Sequence, residues 1–326
     1  MSVLEYSIIV PIFNDGSLAR DFCIELETSF KEALKLPTLS DVLELIFVND
    51  GSSNDSQTHL ENLRNEFNFV RVIELSRNFG QHIALTCGYE KAKGKYVASL
   101  NVDLEDPPKY ILTLIEYLKK NNHDIVTSLR TNRKPEFLRD LLSKSFHSIL
   151  NTLTGFQLPT NCSTLRVMTR QFIDAYCKLN ESSRYLPGLE SWLGFSHGYL
   201  PTEQRPRSAG KSSYTLKRRL RMAFTSIISF SDMPLRLCVY FGLFVAFTGF
   251  LLASLLIIEK LFFVNLRPGY TSTIAVIVFF SGMQMAVLGV VGLYVGRILR
   301  EVQQRPVYLV KSDFEQKRTY VQLHGT

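Results

Sequence analysis

The sequence predicts an α/β protein with a doubly wound, mostly parallel sheet, followed by two membrane-crossing helices. Short runs rich in β-branched and other apolar residues alternate with segments of helical spacing, as is typical of parallel sheets covered by helices. The predicted strands cover residues 6–12, 43–48, 69–75, 96–100 and 124–129. The first helix is predicted over residues 17–36, where Leu18, Phe22, Leu26 and Phe30 share one face.

Composition and short motifs narrow the class of protein. The 326 residues carry a formal net charge of +7, and the five cysteines show neither a CxxC pair nor a zinc-like spacing. Reduced thiols in a cytosolic compartment are therefore expected. No signal peptide is predicted, because the chain runs almost directly into a strand. No GxGxxG follows a strand and no GxxxxGK[ST] is present, which argues against a dinucleotide enzyme and a P-loop ATPase.

Polar side chains follow the predicted strands at the points where those strands end. They are Asp15, Asp50, Arg77, Asp103 and Arg130. Because the carboxyl ends of parallel strands meet at one edge of a sheet, we expect these side chains to converge. Acids for a metal ion beside arginines for phosphate describe a site for a nucleotide diphosphate.

The densest of these clusters is the stretch NVDLEDPP at 101–108, which contains Asn101, Asp103, Glu105 and Asp106. Two or three hard oxygens on one short loop suit Mg²⁺ or Mn²⁺ holding a diphosphate. The alternative is an acidic turn that only caps the next helix, which the two prolines open. The stretch by itself is compatible with both interpretations.

Two segments, 237–258 and 271–296, contain no charged residue, and each is long enough to cross about 30 Å of hydrocarbon. A buried helical hairpin of a soluble protein is the alternative. The segment 205–221 precedes them and carries basic residues without any acid. These are Arg205, Arg207, Lys211, Lys217, Arg218, Arg219 and Arg221. The positive flanks predict a multi-pass protein of the plasma membrane (the inner membrane in a bacterium) with its globular domain in the cytoplasm.

Two further segments are expected at the membrane surface or in the core. The basic run is expected to lie on anionic headgroups, because apolar residues at helical spacing and then a span follow it. A nucleic-acid partner is not expected, because the run lacks interleaved aromatic residues. Residues 136–154 are amphipathic and are expected to pack on the core, with a membrane-surface helix as the alternative.

Seven motifs together give the chain a resemblance to a known family. They are IVPIFND at 9–15, VNDGSSND at 48–55, LSRNFGQHIALTCGY at 75–89, NVDLEDPP at 101–108, LRVMTR at 165–170, RYLPGLESWLGF at 184–195 and RSAGKSSY at 207–214. Through them the chain resembles the polyprenyl-phosphate glycosyltransferases of glycosyltransferase family two, which have a GT-A fold and include dolichol-phosphate mannose synthase. With its two predicted spans it looks most like the bacterial undecaprenyl-phosphate glucosyltransferases.

The resemblance implies inverting transfer of a sugar from a nucleotide-diphosphate sugar, with UDP-glucose favoured, to undecaprenyl or another polyprenyl phosphate in a membrane. It also implies a homo-oligomer, a tetramer. The implied organisation is a GT-A catalytic domain over 1–204, a basic juxtamembrane segment over 205–234, two transmembrane helices within 235–298 and a cytoplasmic tail over 299–326.

The same resemblance implies roles for individual residues. The implied nucleotide-binding residues are Pro11, Phe13, Asp15, Asp50 and Arg77. Asp103 and Glu105 would bind Mg²⁺ or Mn²⁺, with Asn101 as a supporting oxygen. The implied phosphate-binding residues are Arg130, Arg133, Arg207 and Lys211, and Asp103, Arg130, Arg207 and Lys211 are the expected catalytic set.

Two positions depart from the family pattern. Asn101 stands where the family usually has aspartate, and the lost charge should weaken metal binding. Thr164 stands where relatives of the glucosyltransferase type carry an aspartate, two residues before the arginine matching Arg166. A phosphate monoester is largely dianionic near neutrality, with a second pKa of about 6, so the acceptor can attack without giving up a proton. We therefore expect an active enzyme.

Two other functions are compatible with parts of the sequence. A processive polysaccharide synthase of the same fold would show a QxxRW motif and more spans, but Leu189-Glu190-Ser191 precedes Trp192, the single tryptophan. A catalytically impaired membrane scaffold that binds a nucleotide sugar would explain the departures at Asn101 and Thr164.

Overall fold

The computed structural model describes residues 4–131, 161–181, 184–205, 233–262 and 269–314. These residues belong to two compact units. One unit contains a sheet with strands β1 Tyr6–Ile12, β2 Leu43–Asn49, β3 Val70–Leu75, β4 Tyr96–Ser99, β5 Ile125–Arg130, β6 Cys162–Thr169, β7 His197–Thr202 and β8 Val310–Phe314. Its helices are α1 Ala19–Leu34, α2 Ser56–Glu66, α3 Gln81–Lys91, α4 Tyr110–Asn121, α5 Arg170–Cys177 and α6 Leu186–Trp192. The other unit contains α7 Met233–Phe262 and α8 Tyr270–Val302.

The strand order is β7-β5-β6-β4-β1-β2-β3-β8. The pairs β1–β2, β1–β4, β2–β3 and β5–β7 are parallel, whereas β6 is antiparallel to β4 and β5, and β8 is antiparallel to β3. The predicted α/β sheet is therefore confirmed as a mixed sheet in which most strands share one direction. The five predicted strands are all present, and β1 to β5 all end at the same edge. Strands β6, β7 and β8 were not predicted.

The central strands are buried because helices cover both faces of the sheet. Ile8, Val10 and Ile12 of β1 belong to the core that also contains Phe22 of α1 and Leu114 of α4. The intervening residue Ile9 faces α3 on the other side of the sheet, where Gly88 lies against it. A strand buried on both faces needs apolar residues at every position, which accounts for the continuous apolar run in β1.

Pro11 occupies a central strand, where proline is rare because it has no N–H to donate. Pairing of β1 with β4 ends at Ile9 and Ser99, two residues before Pro11. The ring nitrogen of Pro11 therefore falls on the side of β1 where the neighbouring strand has already ended. This early divergence of β4 opens the carboxyl edge of the sheet beside Pro11.

One stretch of the described residues, Phe279–Val302 within α8, is long and apolar enough to cross a membrane. The apolar part of α7, Leu235–Leu251, is shorter than the roughly 20 residues that a span requires. The predicted two-span hairpin and the multi-pass topology are therefore not confirmed. The predicted amphipathic segment 136–154 lies outside the described residues.

The contact between α3 and β1 leads to a prediction about Gly88. A Cβ atom there would lie 2.1 Å from Cγ2 of Ile9, which is fully buried. Alanine favours a helix by about 1 kcal/mol over glycine, but overpacking costs about 1–3 kcal/mol. We expect Gly88→Ala to destabilise the wild-type chain and to stabilise, or leave unchanged, an Ile9→Ala chain, as measured by urea unfolding in detergent. Equal effects in the two backgrounds would contradict this packing.

Candidate functional site

The loops after β1 and β2 are joined through Asn14. Its N–H donates to Ser52 Oγ at 3.0 Å, its Oδ1 accepts from the Ser53 N–H at 2.9 Å, and its carbonyl accepts from Asn54 Nδ2 at 3.0 Å. Asn14 has φ of 65°, a left-handed conformation that asparagine tolerates better than most residues. Asn14 therefore sets the spacing of the two loops that carry Asp15 and Asp50.

The loops after β2 and β3 are joined through the carboxylate of Asp50. Its two oxygens accept the N–H groups of Phe79 at 2.7 Å and Gly80 at 2.8 Å. Burial raises the pKa of Asp50 above its ordinary value, and these two donors act in the opposite direction. Gly51 has φ of 63°, and a Cβ there would lie 2.3 Å from the carbonyl carbon of Arg77. The two loops are thus in backbone contact.

The residues predicted to bind the nucleotide lie on these three loops. Pro11 is half-buried at the end of β1, and the Phe13 ring that follows is 46 % exposed. Asp15 is exposed in the same loop. Arg77 is exposed after β3, and its guanidinium lies 4.1 Å from the centroid of the Phe79 ring. The exposed Phe13 ring and the ordered loops are suited to stacking and hydrogen bonding with a planar base.

The loop after β4 brings predicted metal and phosphate residues together. Glu105 Oε1 lies 3.5 Å from Arg130 Nη1, which reaches across from the end of β5. The Nε atom of Arg130 is buried and has no hydrogen-bond partner in the described part of the chain. Leu104, between Asp103 and Glu105, has φ of 55°. The chain therefore turns sharply there, and the Glu105 N–H donates to Asp103 Oδ1 at 3.3 Å.

Asn101 is engaged by a neighbouring side chain. Its Oδ1 accepts from Gln81 Nε2, on the first residue of α3, at 2.8 Å. A second lone pair remains on that oxygen, so ligation of a metal ion is compatible with this hydrogen bond. The contact also joins the loop after β4 to helix α3, which directly follows the loop bound by Asp50.

Asp106 links three parts of the chain. It is buried and accepts hydrogen bonds from Ser163, from Thr164 Oγ1 at 3.2 Å and from Gln204 Nε2 at 2.5 Å. The N-cap residue of helix α4 is Lys109, whose side chain makes no capping hydrogen bond, and no acidic residue lies in the first turn of the helix. The helix-capping interpretation is therefore not supported, and the hydroxyl of Thr164 supports the loop after β4 through Asp106.

The donor set of the loop after β4 fits a magnesium or manganese ion held jointly with phosphates. No group of three or more His, Cys, Asp or Glu side chains positioned for a metal ion occurs among the residues with described coordinates. Such an ion in a nucleotide enzyme, however, usually takes one or two carboxylates and completes its shell with phosphate oxygens and water. Asp103 and Glu105 would supply the two carboxylates, and the amide oxygen of Asn101 is the third candidate.

A buried ion pair lies behind this loop and was not predicted. Arg166 of β6 donates to Glu190 of α6, and both residues are buried. Arg166 pairs with Ser99 at the end of β4, so the ion pair lies directly beside the strand that carries the predicted metal ligands. The motifs containing Arg166 and Glu190 were visible in the sequence, but their pairing required the fold.

Two histidines adjoin this ion pair. The Nδ1 atom of His82 is buried and has no hydrogen-bond partner among the described residues, and its ring lies 6.0 Å from that of Tyr185. Burial, reinforced by the Arg166 charge, lowers the pKa of His82 to about 4. Burial and the same charge also lower the pKa of His197 to about 4. Both rings are therefore neutral at physiological pH.

Several predicted site residues lie outside the described residues. These are Arg133, Arg207 and Lys211, with the rest of the basic run after Arg205. Arg205 itself donates to Glu25 Oε2 at 2.7 Å, and its N–H donates to the Glu105 carbonyl at 3.0 Å. The start of the basic run is therefore attached to the loop after β4.

Comparison with known proteins identifies the family. The sequence model described as "Glycosyl transferase family 2" matches residues 7–177, which include β1 to β6 and the loops described above. The chain belongs to glycosyl transferase family 2. The α/β sheet predicted for this family is present, and the loops that converge at the carboxyl edge fall within the matched region.

Relatives align along nearly the full chain. The uncharacterized glycosyltransferase YkcC of Bacillus subtilis is 34 % identical, with 98 % of each chain covered. The bactoprenol glucosyl transferase of Shigella phage SfII is 31 % identical over 94 % of this chain and 98 % of the relative. The undecaprenyl-phosphate 4-deoxy-4-formamido-L-arabinose transferase of Proteus mirabilis is 31 % identical over 94 % of this chain and 92 % of the relative.

The two lowered histidine pKa values predict a pH-dependent stability. Between pH 4 and the ordinary histidine pKa of 6.5, the unfolded chain binds more protons than the folded chain, so the free energy of unfolding falls as pH falls. Each pKa unit is worth about 1.4 kcal/mol. We expect His82→Gln to reduce the loss of stability across this range by on the order of 2 kcal/mol.

Urea unfolding in detergent, followed by the fluorescence of Trp192, measures this dependence. His59→Gln is the control, because His59 is exposed on α2. A pH dependence for His82→Gln that matches both the control and the wild type would contradict the assignment.

Proposed function

We propose that this chain transfers a sugar, with inversion, from a nucleotide-diphosphate sugar to undecaprenyl or another polyprenyl phosphate at the cytoplasmic face of the membrane. UDP-glucose is the favoured donor. The lipid-linked product would supply cell-surface glycan modification. The main support is the convergence of Asp50, Asp103, Glu105 and Arg130 at one edge of the sheet in a family 2 glycosyltransferase. The polyprenyl-linked activities in the names of the relatives support the acceptor class.

The donor would bind with its base near Pro11, Phe13 and Asp15. The ordered backbone between Asp50 and Gly80 would hold the nucleoside, with Arg77 at the margin. The diphosphate would lie between the loop after β4 and Arg130. This order places the sugar beyond the diphosphate, beside the end of β4.

The acceptor phosphate would attack the anomeric carbon from the face opposite the diphosphate. The bond from that carbon to the diphosphate oxygen breaks, and its electron pair leaves with the diphosphate. No proton has to be removed, because the acceptor phosphate is already largely dianionic. Catalysis would therefore depend mainly on positioning the two substrates and on neutralising the charge of their phosphates. Threonine at position 164 is compatible with such a mechanism.

Arg130 is suited to neutralising charge as it develops on the leaving diphosphate. Its pairing with Glu105 holds the guanidinium at the site before the donor arrives. Asp103 and Glu105, with Asn101, would hold Mg²⁺ or Mn²⁺, which when bound neutralises part of the diphosphate charge. Arg207 and Lys211 would contact the phosphates from the membrane side.

We extend the proposal to the membrane arrangement. Helices α7 and α8 would form a two-span hairpin with the catalytic sheet in the cytoplasm. The reason is that basic residues lie before the first apolar segment and after the second one. A homo-oligomer, a tetramer by the family resemblance, is part of the same proposal. Because the acceptor lipid is confined to the bilayer, the membrane helices would be needed to hold the enzyme at the bilayer surface.

The first test removes the charge of Asp103. We expect Asp103→Asn to lower kcat at least 100-fold, because removal of one well-placed charge stabiliser typically costs about 10²–10³ in rate. The assay measures transfer of radiolabel from UDP-glucose to undecaprenyl phosphate by the purified full chain in detergent with Mn²⁺. Asp41→Asn, an exposed aspartate before β2, is the control.

Turnover of Asp103→Asn equal to that of the control would overturn the role of Asp103. Calorimetric binding of UDP without turnover by the wild-type chain, across a panel of nucleotide sugars, would favour the scaffold function. The departures at Asn101 and Thr164 motivate that second candidate.

The second test restores the missing charge at position 101. The Gln81 amide that donates to Asn101 can donate equally to a carboxylate, so Asn101→Asp preserves the local hydrogen bond. We expect Asn101→Asp to lower the Mn²⁺ concentration for half-maximal activity several-fold. Asn121→Asp, at the exposed last position of α4, is the control for added charge. An unchanged metal requirement would place Asn101 outside the metal site.

A further inference from the structure

The segment that leaves α8 returns to the catalytic sheet as its edge strand. Strand β8 pairs antiparallel with β3, with Val72 opposite Phe314, Ile73 opposite Asp313 and Glu74 opposite Ser312. Residues 299–326 were expected to be a cytoplasmic tail. Part of that segment, β8, covers the edge of β3.

A buried arginine binds this strand. The Arg71 side chain is 5 % exposed, and its Nε and Nη2 donate to Asp313 Oδ1 at 3.0 Å and Oδ2 at 2.8 Å. Its Nη1 donates to the Lys91 carbonyl at 3.2 Å. A bidentate pair with a buried guanidinium is directional, and loss of the carboxylate leaves a buried charge without its main counter-ion. The pairing of β8 is therefore specific in register.

Further side chains hold the same strand. Lys311 Nζ lies 2.7 Å from Glu74 Oε1, and Ser312 Oγ donates to Glu74 Oε2 at 3.0 Å. Just before the strand, Tyr308 donates its hydroxyl to Glu90 Oε2 of α3 at 2.5 Å. Strand β8 and the residues leading into it thus contact both β3 and α3, the two elements on either side of the loop Ser76–Gly80.

The entry to β8 touches that loop directly. The Ser76 N–H donates to the Leu309 carbonyl at 2.9 Å. Ser76 is the first residue after β3, and Phe79 and Gly80 at the other end of the loop donate to Asp50. A displacement of β8 would therefore also displace the loop that carries Arg77.

The connection between α8 and β8 is short. Helix α8 ends at Val302 and β8 begins at Val310, so residues 303–309 are the whole connection. The chain from Val302 to Val310 covers eight Cα–Cα intervals, which at about 3.5 Å each span at most about 28 Å. Because α8 contains the candidate membrane span Phe279–Val302, docking of β8 limits how far the β3 edge can move from the end of that span.

We propose that β8 is a second membrane tether, which positions the catalytic sheet for an acceptor phosphate embedded in the bilayer. The inference rests on the proposed function. The other connection to the membrane helices runs through the basic segment after Arg205. Attachment at two points restricts rotation of the sheet far more than one, which raises the effective concentration of a membrane-bound acceptor at the site.

The test compares two acceptors in one set of full-length proteins. Wild type, Asp313→Ala and the double variant Arg71→Met/Asp313→Leu are reconstituted in vesicles with undecaprenyl phosphate, or assayed with a short, water-soluble polyprenyl phosphate. The labelled donor is UDP-glucose. We expect Asp313→Ala to lose at least tenfold activity with the vesicle acceptor and less than twofold with the soluble one. The double variant, which leaves no buried charge, should recover part of the loss.

An equal loss with both acceptors would show that Asp313 only supports the fold, and no loss with either would overturn the tether. A chain ending at Phe314 is the matched control, because it retains β8, and it should behave as wild type. Inactivity of the wild-type chain with both acceptors and all nucleotide sugars would count against the proposed function, and the next measurement separates the two proposals.

A disulfide test examines the docking without any turnover. Glu74 and Ser312 are directly opposed in the β3–β8 pair, so Glu74→Cys/Ser312→Cys should form an intramolecular disulfide in native membranes under mild oxidation. Each single variant is the control for the five native cysteines. Absence of the bond, or a bond formed only between chains, would overturn a tether from α8 to its own sheet.

Discussion

The carboxylate of Asp50 is the interaction on which the carboxyl edge of the sheet depends. It accepts two backbone N–H groups from the loop after β3 and fixes that loop against the loop after β2. Asn14 performs the corresponding task between the loops after β1 and β2. Three loops that would otherwise be independent thus form one continuous surface. A buried carboxylate without these donors would be costly, so the loop conformation and the burial of Asp50 sustain each other.

The loop after β4 depends on a different balance, between acids and their counter-charges. Glu105 faces Arg130, whereas Asp106 is turned inward and held by Ser163, Thr164 and Gln204. The carboxylates of this short acidic stretch are therefore divided between the surface that faces Arg130 and a buried junction. The division explains how the loop can carry several negative charges and still keep a defined shape.

The edge strand β8 solves a problem common to open sheets. An exposed β3 edge would offer unpaired N–H and C=O groups to other chains. Here the edge is covered by a strand that arrives from the helix carrying the apolar stretch Phe279–Val302. The same strand is joined in the chain to the end of that helix through residues 303–309.

The sequence by itself determined the strand pattern and the chemistry of the strand ends. Continuous apolar runs such as residues 6–12 are a local signal, and the direction of a parallel sheet then places Asp50, Asp103 and Arg130 at one edge without knowledge of any contact. The motifs were likewise sufficient for the family. These features depend on residues close together in the chain, where composition and spacing carry the information.

Only the tertiary structure decided which of these side chains meet. The pairings of Glu105 with Arg130, Arg166 with Glu190 and Arg71 with Asp313 join residues far apart in sequence, and no local pattern specifies them. Strand β8 is the clearest case. The segment Val310–Phe314 has three polar residues between a valine and a phenylalanine and shows no clear strand pattern. It pairs as a strand because the edge of β3 is available and Arg71 binds Asp313.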